Sequence, residues 1–275
     1  MSEASSANHP LGFRDGGEGG ITPALGVIVN AIVDDLADLG VTHVEMPATP
    51  ERMWQAISAE ERRKMKLKDK VAIVTGTSPN IGGGIAEGLA AEGAALVCVD
   101  ATPANATDCA NYLSGIGSRA IGIACDVCDE AQVSAAVKKA CETFGQVDVL
   151  VNNAVIFNKK GVLTMPLDEW RKQIDVILTG AFLFTKYTAQ SMIERGVRGS
   201  IINIVSTAGH QGEPGNIAYS TAKSGVLNFT RSAAMELVRH GIRVNSLTPT
   251  ATDPTEAAER AQRWGRPAGS VPPAS

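Results

Sequence analysis

"KVAIVTGTSPNIGGGIAEG", Lys70 to Gly88, is the stretch on which the fold turns. Its apolar run, Val71 to Val74, is mostly β-branched and does not alternate with polar residues, which suits a strand buried on both faces of a sheet. The run passes through Thr75 and Gly76 into a glycine-rich segment, and a helix is expected from about Ile81. A strand that turns through glycine into a helix aims backbone N–H groups and the positive dipole end at one point, where a phosphate can sit. The spacing G-x-G-x-x-G is not met, because Glu87 follows Gly82 and Gly84 where a third glycine belongs. Asn80 likewise occupies a place where glycine is expected.

Outward from this stretch, the texture from Lys70 onward is short apolar runs alternating with helical patterns. The runs are "KVAIVTG", "ALVCVD", "RAIGIAC", "VDVLVNN", "GSIINIVS" and "IRVNSL". This alternation predicts an α/β fold, a Rossmann-like doubly wound parallel sheet with helices on both faces. Ligands of such sheets lie beyond the carboxyl ends of the strands, so the residues just after each strand are the place to look for chemistry. Asp100 closes "ALVCVD" about where a carboxylate would take the ribose hydroxyls of an adenosine. It would repel a 2′-phosphate, and Thr77, Ser78 and Pro79 supply no cation, so NAD is favoured over NADP. The alternative is that Asp100 only caps the next helix. Asp126, Asn152 and Asn153 occupy equivalent rims after strands three and four, where each alone would suit a cap or turn.

Composition narrows the function classes. The 275 residues are 44% hydrophobic, enough for a sizeable core, with a net charge of −4 and 4% aromatic residues. That balance provides neither the basic surface nor the stacking rings of a nucleic-acid binder, and no general pull toward an anionic membrane. No apolar run reaches the length of a membrane span, and "MSEASSANHP" lacks the pattern of a secretory leader, so a cytoplasmic location is expected. Five scattered cysteines include one CxxC, Cys125 and Cys128, with no second pair to complete a zinc site. No metal is expected.

The fifth run and the helix after it carry reaction chemistry. Ser206 closes strand five, and "YSTAK" follows with Tyr219 and Lys223 at i and i+4 on one helical face. Hydride transfer to a carbonyl leaves an alkoxide that needs a proton, and the reverse reaction needs a base. A tyrosine serves both if a nearby cation such as Lys223 favours its phenolate, while Ser206 donates a hydrogen bond to the substrate oxygen.

On these residues the stretch from 70 to about 256 resembles the short-chain dehydrogenase/reductase family. Thr75, Gly76 and Gly82 match its T-G-x-x-x-G-x-G loop, "NNA" its strand-four signature, "RVNSLTPT" its R-V-N-x-x-x-P-G stretch, and Ser206, Tyr219 and Lys223 its catalytic residues. The resemblance implies NAD(P)-dependent interconversion of a secondary alcohol and a ketone. The cofactor contacts it implies are Gly76, Ser78, Asn80, Ile81, Gly82, Asp100, Asp126, Val127, Asn153, Ala154, Tyr219, Lys223, Pro249, Thr250 and Thr252. Asn80 stands at the loop's middle glycine and is expected to adopt the left-handed conformation and offer its amide to a phosphate.

Three departures accompany the match. Val155 replaces the glycine of NNAG, and Ile177 stands where an asparagine of the long helix is usual. No seventh strand follows strand six, which implies an exposed sheet edge and a weakened homo-oligomer. Residues 1–66 read as an N-terminal appendage with two short helices, and 67–275 as the dinucleotide-binding domain. Residues 15–58 resemble the C-terminal tail of a molybdenum hydroxylase large subunit, whose active-site base Glu18 would match. Beside the oxidoreductase stand two further readings: a truncated or fused non-catalytic protein of the same fold, and an adaptor of a molybdenum enzyme. A small-molecule alcohol or ketone is the expected partner.

Overall fold

A computed structural model of the chain describes Leu36 and residues 49–55, 65–250 and 254–267. Glu18, most of the first expected N-terminal helix, residues 56–64 of the second and Thr252 lie outside the described residues. Residues 50–55 are helical. Contacts divide the chain between Met65 and Lys66, and the unit from Lys66 onward contains the sheet.

Six strands among the described residues are β1 (Val71–Thr75), β2 (Ala95–Asp100), β3 (Ala120–Ala124), β4 (Val149–Asn152), β5 (Ser200–Ile204) and β6 (Arg243–Leu247). They form one sheet in the order β3-β2-β1-β4-β5-β6, and every pairing is parallel. The helices between them are α1 (Ile81–Ala91), α2 (Pro103–Gly115), α3 (Glu130–Phe144), α4 (Leu167–Ile174), α5 (Gly180–Glu194) and α6 (Ile217–Leu237). A last helix, α7 (Pro254–Arg263), follows β6. The strand order reverses direction between β1 and β4, and the rim of that switch point is where a doubly wound sheet opens a crevice.

Alternate residues of the central strands serve opposite faces. Val71 and Ile73 pack with Val133 and Val137 of α3 and Phe184 and Met192 of α5, whereas Ala72 and Val74 pack with Ala86 of α1, Leu113 of α2 and Trp264. All five β1 residues are buried, which is why the run carries no polar alternation. Between α4 and α5 the turn widens to a π-helix over Asp175–Thr179, which carries Ile177 into the core against Val205, Ala222 and Val226.

One expectation needs correction. Asn80 has φ −89° and ψ −143°, so it is not left-handed. The positive φ of the loop falls on Gly76, at 71°, directly after β1. That glycine reverses the chain and leaves Asn80 an ordinary residue preceding α1, with its side chain making no cap.

Candidate functional site

The strand ends meet in a groove of about 470 Å³. Gly76, Ser78, Asn80, Ile81, Gly82, Asp100, Asp126, Val127, Asn153 and Ala154 all line it, gathered from the ends of β1, β2, β3 and β4. Tyr219 and Lys223 of α6, and Pro249 and Thr250 beyond β6, are not among the lining residues.

The glycine loop is shaped by contact. A Cβ on Gly82 would lie 1.9 Å from the Gly76 carbonyl oxygen, and one on Gly76 would lie 2.9 Å from Ala154 Cα. The two glycines thus permit close approach of backbone to backbone. Asn153 holds the loop by donating from Nδ2 to the carbonyls of Thr75 and Gly76, both at 2.9 Å. Thr75 Oγ1 answers by accepting the N–H groups of Asn153 at 3.0 Å and Ala154 at 3.1 Å. The first turn of α1 has no acidic residue, so its N-terminal field is uncompensated at the groove. Asn153 therefore acts on the loop rather than reaching past it.

Asp100 is a strand-end carboxylate with two donors on one oxygen: the Thr102 N–H at 2.9 Å and Asn105 Nδ2 at 3.1 Å, both to Oδ1. Burial pushes its pKa up, while those two donors and the charge of Arg266 hold it down. Asp126 is exposed and accepts the Cys128 N–H at 2.9 Å, a turn-forming bond. Burial pushes the thiols of Cys125 and Cys128 up to about 12, so neither is poised as a thiolate ligand or nucleophile. Among the described residues no group of three or more His, Cys, Asp or Glu is placed to hold a metal.

Lys223 lies 3% exposed on α6, and its Nζ donates to the Ile204 carbonyl at 2.7 Å. Burial pulls its pKa down to about 8. The same nitrogen stands 5.7 Å from the ring centroid of Tyr219, which also meets the half-exposed Phe157 ring at 5.6 Å. Ser206 lies just beyond β5 and accepts the Ala208 N–H at 3.2 Å, which starts a short 3₁₀ turn. A small enclosed cavity is lined by Lys223 and Ile177 and shares Val127, Ala154 and Val176 with the groove. The lysine thus lies behind the groove floor.

Several lining residues escaped the sequence reading. Lys172 and Val176, around the π-helical turn, both line the groove, yet "EWRKQI" reads locally as a solvent-facing helix. Glu87, the residue that breaks the glycine pattern, accepts from Arg260 Nε at 3.1 Å, Arg263 Nη2 at 3.0 Å and Trp264 Nε1 at 3.0 Å. It anchors α7 against the loop, which no local pattern announces.

The comparisons agree with this fold. The sequence profile described as short chain dehydrogenase matches residues 70–265. Galactitol 2-dehydrogenase of Agrobacterium fabrum is 39% identical over 189 residues, 69% of this chain and 73% of that protein. Cis-4-hydroxycyclohexanecarboxylate dehydrogenase of Sinomonas cyclohexanicum is 40% identical over 186 residues, 67% of this chain and 74% of that protein. The crystal structure of a short-chain type dehydrogenase/reductase from Mycobacterium marinum superposes with a TM-score of 0.65 at 33% identity, covering 68% of this chain and 74% of that one. The matched span begins at Lys70, so residues 15–58 find no counterpart in it. With its parallel sheet, its glycine loop and these relatives, the chain belongs to the short-chain dehydrogenase family of NAD(P)-dependent oxidoreductases.

Proposed function

We propose that the groove binds NAD in preference to NADP and that the protein interconverts a secondary alcohol and a ketone with Tyr219, Lys223 and Ser206. The observation that carries this reading is the convergence of ten residues from the strand ends and the start of α1 on one groove whose floor adjoins Lys223. The loop suits a dinucleotide in that Gly76 and Gly82 pack backbone against backbone where a Cβ would collide, the close turn such a cradle needs. The backbone of the loop and the N-terminus of α1 would hold its pyrophosphate, and Asp100 the adenosine ribose. When bound, the nicotinamide supplies the hydride acceptor or donor.

The chain's own part is proton handling and orientation. The Tyr219 hydroxyl gives a proton to the substrate oxygen in reduction and takes it in oxidation. A positive charge on Lys223 beside the ring stabilises the negative charge left on the phenolic oxygen. Ser206 Oγ already accepts one bond from the Ala208 N–H, which leaves its own O–H free to donate to the substrate oxygen. Phe157 against Tyr219 offers an apolar surface for the body of the substrate.

The preference for NAD rests on Asp100, a carboxylate where a 2′-phosphate would add like charge. Titration of the protein with NADH and NADPH, followed by coenzyme fluorescence, tests this. Tighter binding of NADH is the expected result; equal or tighter binding of NADPH would remove the preference, and binding of neither would remove the function.

A further inference from the structure

Arg266 stands behind the groove without lining it. Its Nε donates to Asp108 Oδ2 at 2.7 Å and its Nη1 to Asn105 Oδ1 at 2.9 Å. Asn105 in turn donates from Nδ2 to Asp100 Oδ1 at 3.1 Å, the oxygen that also takes the Thr102 N–H. An amide can present either its oxygen or its nitrogen to a neighbour, whereas a guanidinium offers only donors. Arg266 therefore fixes the Asn105 amide with its oxygen toward the guanidinium and its nitrogen toward the carboxylate. Released from the guanidinium, the amide could turn its oxygen against Asp100 and lose the bond.

Two consequences follow for a ligand at the rim. Both protein donors converge on Asp100 Oδ1, which leaves Oδ2 to accept from hydroxyl groups. The cation itself is withheld: the Arg266 side chain is 15% exposed, packs near the Trp264 ring at 5.7 Å, and has committed its Nε and Nη1 to Asp108 and Asn105. An arginine this close to the ribose end would ordinarily serve a 2′-phosphate. Here Nε and Nη1 are turned to the protein, and the buried Nη2 has no hydrogen-bond partner.

We infer that Arg266 is a positioning residue for the dinucleotide, acting through Asn105 to orient Asp100 toward a vicinal diol and so favouring a free ribose over a 2′-phosphorylated one. This rests on the groove being a dinucleotide site, as proposed above.

The test is a double-mutant cycle in the full chain, with dissociation constants for NADH and NADPH measured by fluorescence for wild type, Arg266→Met, Asn105→Ala and the double variant. Arg266→Met should weaken NADH binding about tenfold, the loss expected of one charge-supported hydrogen-bond relay, and change NADPH binding less than about threefold. In the Asn105→Ala background the same substitution should change NADH binding less than about twofold, because the relay is already cut. Arg266→Lys, which keeps a donor for Asn105, should recover part of the loss. The acid limb of NADH binding should move to higher pH in Arg266→Met, since a cation holding Asp100 ionised is gone. Unchanged NADH affinity in Arg266→Met, or equal losses in the two backgrounds, would overturn the inference while leaving the coenzyme site intact. Failure of wild type to bind either coenzyme would instead overturn the site itself and the inference with it. Should Arg266→Met not fold, Asn105→Ala decides alone: an NADH to NADPH affinity ratio equal to wild type contradicts the relay.

Discussion

The Lys223 ammonium donates to the main-chain carbonyl of Ile204 at 2.7 Å while standing 5.7 Å from the centroid of the Tyr219 ring. A strand end and a helix thus meet through one buried cation. Burial pulls that lysine from its usual 10.5 down to about 8. The unfolded chain then holds more protons than the folded one between those two values, so stability rises with pH across that window. Below about pH 8 the buried charge costs stability, and the cost is relieved as pH climbs toward 10.5. Denaturant unfolding of wild type and Lys223→Met at both ends of this window should show wild type gaining on the order of 3 kcal/mol relative to the variant. Parallel pH dependence in the two proteins would mean that Lys223 titrates as an exposed lysine does.

Gly82 and Gly88 share α1 and should respond in opposite directions to alanine. A methyl on Gly82 meets the Gly76 carbonyl oxygen at 1.9 Å, while one on Gly88 meets nothing within 4 Å. Gly82→Ala should lower stability by about 3 kcal/mol and weaken NADH binding more than about tenfold. Gly88→Ala should raise stability by about 0.5 to 1 kcal/mol through helix propensity, with NADH affinity unchanged. Thermal melts with and without coenzyme separate the two effects.

Asn80, with its negative φ, does not require glycine at the level of the fold. Asn80→Ala and Asn80→Gly should leave melting temperatures close together and weaken NADH binding to the same degree, since both delete the amide and the backbone here does not call for glycine. A much weaker Ala variant would show that the loop becomes left-handed at this residue when coenzyme binds.

Much of this arrangement could be read from the chain before its structure. The strands announced themselves because a run buried on both faces, such as Val71–Val74, must be continuously apolar. The groove residues followed because they directly succeed those runs, and the topology carries every strand's carboxyl end to one rim. What escaped depends on distant contacts. Glu87 reads as a broken glycine pattern until Arg260, Arg263 and Trp264, far along the chain, are seen to converge on it. Lys172 reads as surface because its window is polar, and its place at the groove beside Val176 of the π-helical turn depends on how the whole segment packs. Pattern position alone assigns Asn80 a glycine-like conformation that Gly76 in fact carries.

Trp264 ties that distant helix to the sheet. It is 9% exposed, its ring would meet a Cβ on Gly83 at 2.7 Å, and its Nε1 bonds Glu87. Trp264→Ala should cost about 3 to 5 kcal/mol in denaturant unfolding, from lost burial and the cavity left behind. Trp264→Phe keeps most of the ring and should cost clearly less. Equal losses would assign the effect to the Glu87 bond rather than to packing.

The reaction itself is tested most directly at Tyr219. Purified wild type and Tyr219→Phe should be compared for NADH binding and for turnover of NAD or NADH across a panel of secondary alcohols and ketones. Wild type should turn over, and the variant, lacking only the phenolic oxygen, should lose about a hundredfold to ten-thousandfold in kcat while binding NADH within about twofold of wild type. Undiminished turnover by Tyr219→Phe would contradict a tyrosine that moves the proton.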